Sequence, residues 1–125
     1  MNSDLNITVE QTQAAVPVTV FTIHGWLDGQ SEEHLLATAR TEYENGARYL
    51  LIDMSGLDTI TSAGIRALQK LYQMYTPKED RFKIAHLKLC KAPPQIYNVL
   101  GITGFLQNIP MYENQTDALE TFGKD

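Results

Sequence analysis

The chain has a single cysteine, Cys90, in 125 residues, and this shortage excludes an internal disulfide and a zinc knuckle. Basic residues are also few, since ten Lys and Arg against fifteen Asp and Glu leave a net charge of −5. Phosphate contacts need clustered Lys and Arg, so this balance argues against direct nucleic-acid binding. No apolar run approaches the ~18 residues of a membrane span, and the N-terminus shows no secretory pattern. We therefore expect a cytoplasmic protein without a membrane span.

Length and composition indicate one globular domain covering residues 1–125. Hydrophobic residues make up 43% of the chain and charged residues 20%, which is ordinary for a folded protein and unlike a disordered one. A chain of this length can bury one core of its own but not two.

Hydrophobic periodicity predicts five strands and four helices in the order ββαβαβαβα, with the first strand antiparallel and the others mostly parallel. Two expectations concern packing. Trp26 is either an exposed anchor for a partner or a lid over the core edge, and we favour the lid. The third helix should bury Ile96, Tyr97, Val99 and Leu100. The predicted strands are Leu5–Gln11, Val16–His24, Tyr49–Ile52, Arg81–Leu87 and Leu106–Met111; the predicted helices begin at the Ser31 cap, near Ser62, at Pro93-Pro94 and at Asn114, the last of them reaching Phe122.

The stretch Tyr49–Leu71 organises the domain. An apolar strand, Tyr49–Ile52, is followed by a predicted loop, Met54–Thr61, and then by apolar residues at helical spacing from Ser62 onward. Thr61 and Ser62 place two hydroxyls where the helix begins. Either hydroxyl can cap the helix, which stabilises it by ~0.5–2 kcal/mol relative to Ala, or serve as a switch. From the residues alone the cap is favoured, and Thr61 could take that role and leave Ser62 at the first helical position.

The segment DMSGLDTITSAGIRAL, residues 53–68, resembles the signature of the STAS domain, and in particular the single-domain bacterial anti-sigma-factor antagonists. The turn Gly25–Asp28 resembles the family's glycine–x–Leu–Asp segment, and Leu100–Leu106 resembles its last glycine-containing turn. The chain departs from the pattern at Thr61, where many members carry Asp, and at Ala63, where many carry a second hydroxyl. The resemblance implies a STAS-like α/β domain with a mixed, mostly parallel sheet of about five strands and about four helices.

The resemblance also implies a function. The domain would bind an anti-sigma factor with serine kinase activity, be released when that kinase phosphorylates Ser62, and be restored by a protein serine phosphatase. Thr61 is the alternative phosphoacceptor. Asp53 and Asp58 are the expected local acids. Asp53 and Asp28 could orient a hydroxyl or repel a phosphate, and Asp28 can also be a turn residue, since the two roles are not exclusive. The implied partner-binding residues are Gly25, Leu27, Asp28, Leu57, Ile60, Thr61, Ser62 and Arg66.

The sequence offers no catalytic constellation. His24, His34 and His86 fall in different elements without ligand spacing, and we interpret each as a structural or surface residue. No nucleophile elbow or phosphate-binding loop occurs, and Cys90 has the setting of a plain buried thiol. We expect no enzyme, no cofactor and no metal. The rival hypothesis of a different class is a STAS scaffold in a signalling or transporter-associated complex, in which Ser62 is never phosphorylated.

Overall fold

The computed structural model describes residues 4–81 and 83–124. Its five strands form one sheet in the order β1-β2-β3-β4-β5, and four helices connect or follow them. Strand β1 pairs antiparallel with β2, and every later pairing is parallel. The predicted class, strand number and helix number are therefore confirmed. The strands are β1 Leu5–Gln13, β2 Pro17–Leu27, β3 Leu50–Ile60, β4 Leu87–Cys90 and β5 Met111–Tyr112; the helices are α1 Glu32–Glu44, α2 Ser62–Tyr75, α3 Pro94–Ile102 and α4 Gln115–Leu119.

The main core lies between one face of the sheet and helices α1, α2 and α3. Apolar residues of β2 and β3 alternate onto this face, and the buried stripe of α2 repeats at helical spacing. The phenol of Tyr75 joins the two long helices, since its hydroxyl donates a 2.7 Å hydrogen bond to the Ala39 carbonyl. A smaller core, in which α4 covers part of the opposite face, consists of Val18, Val20, Leu51, Cys90, Ala118 and Phe122.

Strand β3 is longer than the sequence predicts, and this is the largest correction. The segment Met54–Ile60, expected to be a loop, continues the strand and pairs with Gly25, Trp26 and Leu27 of β2. Two register shifts let the polar segment keep its pairing, because each bulge absorbs one extra residue of β3. The start of α2 consequently lies at the far end of a rigid strand and not at the end of a loop.

The C-terminal third also differs from the prediction in detail. Residues 81–87 were expected to form the fourth strand, but β4 is Leu87–Cys90 and Phe82 lies outside the described residues. The predicted last strand, Leu106–Met111, is wrong as well, because Phe105–Gln107 is a 3-10 turn and the strand is only Met111–Tyr112. A short helix starts at Asn114, as expected, but it ends at Leu119.

Helix α3 buries Ile96 and Leu100 only. Tyr97 and Val99, expected on its inner side, are exposed, and Gly101 does not stop the helix, which continues to Ile102. The turn that follows passes through Gly104 at a φ of 77°, a left-handed conformation that suits glycine. None of the described helices has both the length and the apolar character needed to cross a membrane.

Candidate functional site

The ends of β2 and β3 meet the first turn of α2 at one edge of the sheet. Leu27 and Ile60 are the last paired residues of the two strands, and the Thr61 amide donates a 3.1 Å hydrogen bond to the Leu27 carbonyl. A Cβ built on Gly64 would lie 2.3 Å from that same carbonyl oxygen. Only glycine therefore allows the first turn of α2 to lie this close to β2.

Thr61 is the N-cap of α2, and this settles the alternative that the sequence left open. Its backbone is extended, and its side-chain oxygen accepts a 3.4 Å hydrogen bond from the Gly64 amide. Ser62 therefore occupies the first helical position, where its side chain is exposed to solvent. Its hydroxyl is therefore not the N-cap of α2 and lies at the protein surface.

The turn between β2 and α1 is held rigid beside this hydroxyl. Oδ1 of Asp28 accepts hydrogen bonds from the amides of Gln30 and Ser31, both at 3.1 Å, so Asp28 is a turn residue as one alternative had it. The turn also approaches α2, since a Cβ on Gly29 would lie 3.8 Å from the Ala63 Cβ. Asp28 therefore stands near the start of α2, but its carboxylate is engaged in its own turn.

Ser31 does not cap α1 as the sequence suggests. It occupies the N-cap position, but its side chain accepts no hydrogen bond from the helix amides. Its hydroxyl instead donates to the Trp26 carbonyl at 2.8 Å and accepts from the Asp28 amide at 3.0 Å. The buried hydroxyl is thus used to close the turn.

Three charged side chains connect the first turn of α1 to α2. Glu32 accepts a 2.9 Å hydrogen bond from Nζ of Lys70, and its second oxygen lies 4.0 Å from Nη2 of Arg66. The hydrogen bond from Lys70 lowers the pKa of the Glu32 carboxyl. Arg66 was among the expected partner-binding residues and is exposed, whereas Glu32 and Lys70 were missed, because pairing between two helices leaves no local pattern in a sequence.

Three of the expected partner-binding side chains are buried. Leu27 is 0% exposed, Leu57 1% and Ile60 9%, because all three point into the core beneath α2. The expectation of direct partner contact is therefore wrong for these side chains, which support the site from below. Gly25 was also expected in the turn, but it lies within β2, where it pairs with both Leu5 and Leu57.

The two expected local acids differ in position. Asp58 is exposed on β3, two residues before its end, whereas Asp53 is buried and distant. Asp53 pairs with Thr22, and Ile60 pairs with Leu27. At ~3.3 Å per residue, the five residue steps from Thr22 to Leu27 along β2 span roughly 17 Å. Asp53 is therefore not a local acid of the Ser62 site.

Asp53 belongs to a separate polar cluster on the other side of β3. Its carboxylate accepts hydrogen bonds from Nε2 of Gln115 at 2.7 Å and from the Ser55 amide at 2.9 Å, and Nζ of Lys91 lies 3.9 Å away. Burial alone would raise the pKa of this carboxyl, but the donated hydrogen bonds and Lys91 outweigh burial and lower it. This cluster ties α4 to the central strand.

Trp26 is 42% exposed, so the expectation that it covers the core edge is wrong. It follows exposed His24 on the face of β2 that points away from Leu27. Along β2, Phe21, Ile23 and Leu27 face the main core, and Trp26 lies on the opposite face, which is covered at Val18 and Val20 but open at Trp26. Extending β2 to Leu27 in the sequence prediction would have placed Trp26 on this opposite face, but its exposure depends on tertiary packing, because α4 covers only part of that face.

The remaining reactive side chains lie away from Ser62. His24 and His34 are exposed, and His86 is buried with its ring nitrogens 3.2 Å from the Arg48 carbonyl and 3.1 Å from the Asp80 carboxylate. The structural or surface interpretation is confirmed for all three. Cys90 is buried, and burial, with a smaller contribution from Asp53, raises the pKa of its thiol to about 12.

Comparison with known proteins bears on the family and the fold. A family model described as the STAS domain matches residues 6–118. A candidate anti-sigma factor antagonist of Bordetella bronchiseptica, BtrV, is 28% identical over 100 residues, which is 80% of this chain and 82% of that protein. Among solved structures, an anti-sigma factor antagonist from Mycobacterium paratuberculosis has a TM-score of 0.76 at 22% identity, with 92% of this chain and 91% of that chain covered. An anti-sigma-factor antagonist (STAS) domain protein from Planctomyces limnophilus has a TM-score of 0.68 at 26% identity, with coverage of 93% and 95%.

Proposed function

Because this chain belongs to the STAS domain family, we propose that it is an anti-sigma-factor antagonist controlled by phosphorylation of Ser62. In its unmodified form it binds a cytoplasmic anti-sigma factor that is also a serine kinase. That kinase transfers phosphate to Ser62, and the complex dissociates. A protein serine phosphatase then restores the binding form, so the serine is a substrate and the antagonist itself catalyses nothing.

The main support for the proposal is that Thr61 and Ser62 have different roles at the start of α2. Thr61 holds the helix cap, so the exposed hydroxyl of Ser62 can be esterified without removing a bond that the fold uses. The alternative acceptor, Thr61, would lose that capping geometry on modification. Ser62 is therefore the acceptor that the structure favours.

The position also suits a charge-based release. A phosphoserine adds about −1.5 to −2 charges near neutral pH, and the positive end of the α2 dipole tolerates an anion at the first helical position. A partner packed against Ser62 and the Asp28 turn would instead have to bury that dianion beside the acidic Asp28 turn. Since 1.4 kcal/mol corresponds to a factor of ten in affinity, a modest penalty is enough to release the partner.

The docking surface that we propose consists of exposed or half-exposed residues around this hydroxyl. Asp28, Thr61, Ser62 and Arg66 form its centre, with Asp58 at one border. Leu27, Leu57 and Ile60 fix its shape from the core side. The surface needs no nucleic acid and no cofactor.

The test is a phosphate-transfer reaction in which the mass of the intact protein is measured by mass spectrometry. The protein is incubated with ATP and a kinase-type anti-sigma factor encoded near it. Wild-type chain should gain one phosphate and Ser62→Ala none, while Ser62→Ala should still bind the anti-sigma factor and Ser62→Asp should bind it weakly. A constitutive scaffold predicts binding that neither substitution changes, and no phosphate on the wild-type protein.

A further inference from the structure

Arg66 lies one helical turn after Ser62 on α2. Residues four apart on a helix face the same side, with Cβ atoms ~5–6 Å apart, so the long Arg66 side chain can reach a group attached to the Ser62 oxygen. The Arg66 side chain is 57% exposed, and the Ser62 side chain is exposed too. No rearrangement of the backbone is needed to bring the two together.

The present contact of Arg66 is a weak one. Its Nη2 lies 4.0 Å from Glu32, at the outer limit of an ion pair, whereas Lys70 donates to the other oxygen of the same carboxylate at 2.9 Å. If Arg66 leaves, Glu32 keeps the stronger of its two cationic partners. Moving Arg66 therefore costs the α1–α2 contact little.

The other charged groups around Ser62 would direct a phosphate toward Arg66. Asp28 faces the start of α2 from the β2–α1 turn, and its Oδ1 already accepts two amide hydrogen bonds; Asp58 is an exposed acid on β3. Glu32 faces α2 from α1, and Lys70 lies a further turn along α2 and is bound to Glu32. Arg66 is thus the cation one turn away with the weakest existing contact, and its planar fork matches phosphate oxygens.

We propose that phosphorylation of Ser62 transfers the Arg66 guanidinium from Glu32 to the phosphate. The inference rests on the proposed function, because it describes the modified state of that site. Phosphorylation would then change the docking surface in two ways. A dianion appears at Ser62, and the Arg66 guanidinium, which the unmodified surface offers to a partner, is bound to the phosphate instead. Arg66 is accordingly a positioning residue for the phosphorylated state.

The test uses protein with phosphoserine installed at position 62 by genetic code expansion, so that it does not depend on any kinase. The second ionisation of the phosphate, ordinarily near pH 6, is followed by ³¹P NMR. A nearby cation favours the dianion, so the wild-type phosphate should lose its proton at a lower pH than the phosphate of Arg66→Gln. We expect a difference of about 0.2–0.4 pH unit, or roughly 1.5- to 2.5-fold in proton affinity.

Arg40→Gln is the matched control, because it removes one charge whose contact is equally weak, 4.0 Å from Glu33 on α1, and leaves both partners of Glu32 in place. Its midpoint should stay within about 0.1 unit of wild type. An unchanged midpoint in Arg66→Gln, or an equal shift in Arg40→Gln, would overturn the transfer. Failure of the proposed function would appear elsewhere, as wild-type protein that its kinase does not modify.

Discussion

Replacing Gly64 with Ala probes the closest approach in the candidate site. The new Cβ would stand 2.3 Å from the Leu27 carbonyl oxygen and 2.9 Å from its carbonyl carbon. Both atoms belong to the backbone of β2, so neither can rotate away as a flexible side chain would. The strand end, the Asp28 turn or the first turn of α2 must move.

The magnitude follows from two opposing terms. Alanine favours a helix over glycine by up to ~1 kcal/mol, which on its own would stabilise the variant. Overpacking a tight site costs ~1–3 kcal/mol, and a backbone neighbour places this site in the upper part of that range. We therefore expect Gly64→Ala to lower the free energy of unfolding by about 1–2 kcal/mol.

Urea unfolding followed by circular dichroism measures this change, and Gly101→Ala is the matched control. Gly101 lies in helix α3, and beyond its chain neighbours and the backbone of its own helix nothing lies within 4 Å of a Cβ built on it. The same substitution should therefore raise the free energy of unfolding by about 0.5–1 kcal/mol. The two variants should thus shift the midpoint in opposite directions. If Gly64→Ala is as stable as wild type, the close approach of α2 to β2 is not the constraint described.

Three further predictions concern other parts of the domain. Thr61→Ala should lower the free energy of unfolding by ~0.5–2 kcal/mol through loss of the cap, whereas Ser62→Ala should change it by less than ~0.5 kcal/mol; equal losses in urea unfolding would contradict the assignment of the cap. The lowered pKa of Asp53 stabilises the fold at pH values above the ordinary carboxyl pKa, and this stabilisation is lost as pH falls through the folded-state pKa. The free energy of unfolding of wild type should therefore exceed that of Asp53→Asn by less at about pH 3 than at about pH 7. A difference that does not change with pH would refute this. Since burial raises the pKa of Cys90 to about 12, a thiol reagent at pH 8 should label the folded protein at least ~100-fold more slowly than the urea-unfolded protein, and comparable rates would show that the thiol is accessible.

The sequence was sufficient to predict the order of elements because the periodicity that reveals them is local. Ile65, Leu68 and Leu71 repeat at helical spacing, and the antiparallel start follows from the short link between the first two strands. The start of α2 near Ser62 could be predicted on the same basis, whereas Ser62 as the phosphoacceptor followed only from the resemblance of residues 53–68 and stays a prediction. The choice of Thr61 as cap required backbone geometry, because both hydroxyls fit the pattern.

The errors arose where tertiary pairing outweighs local pattern. Met54–Ile60 contains Gly56 and Asp58 and resembles a loop, but pairing with β2 and two bulges keep it in the sheet. That extension buries Leu57 and Ile60 and separates Asp53 from Ser62, so a single missed strand end accounts for most of the wrong site residues. Leu106–Met111 failed for a similar reason, since its apolar residues pack through a 3-10 turn.

The most direct test of the switch compares the affinity of the anti-sigma factor for two forms of this protein. One form has serine at position 62, and the other has phosphoserine installed there. Isothermal titration at one salt concentration gives both dissociation constants. Our account predicts at least about tenfold weaker binding by the phosphoserine form, which corresponds to ~1.4 kcal/mol or more. Equal affinities for the two forms would contradict it.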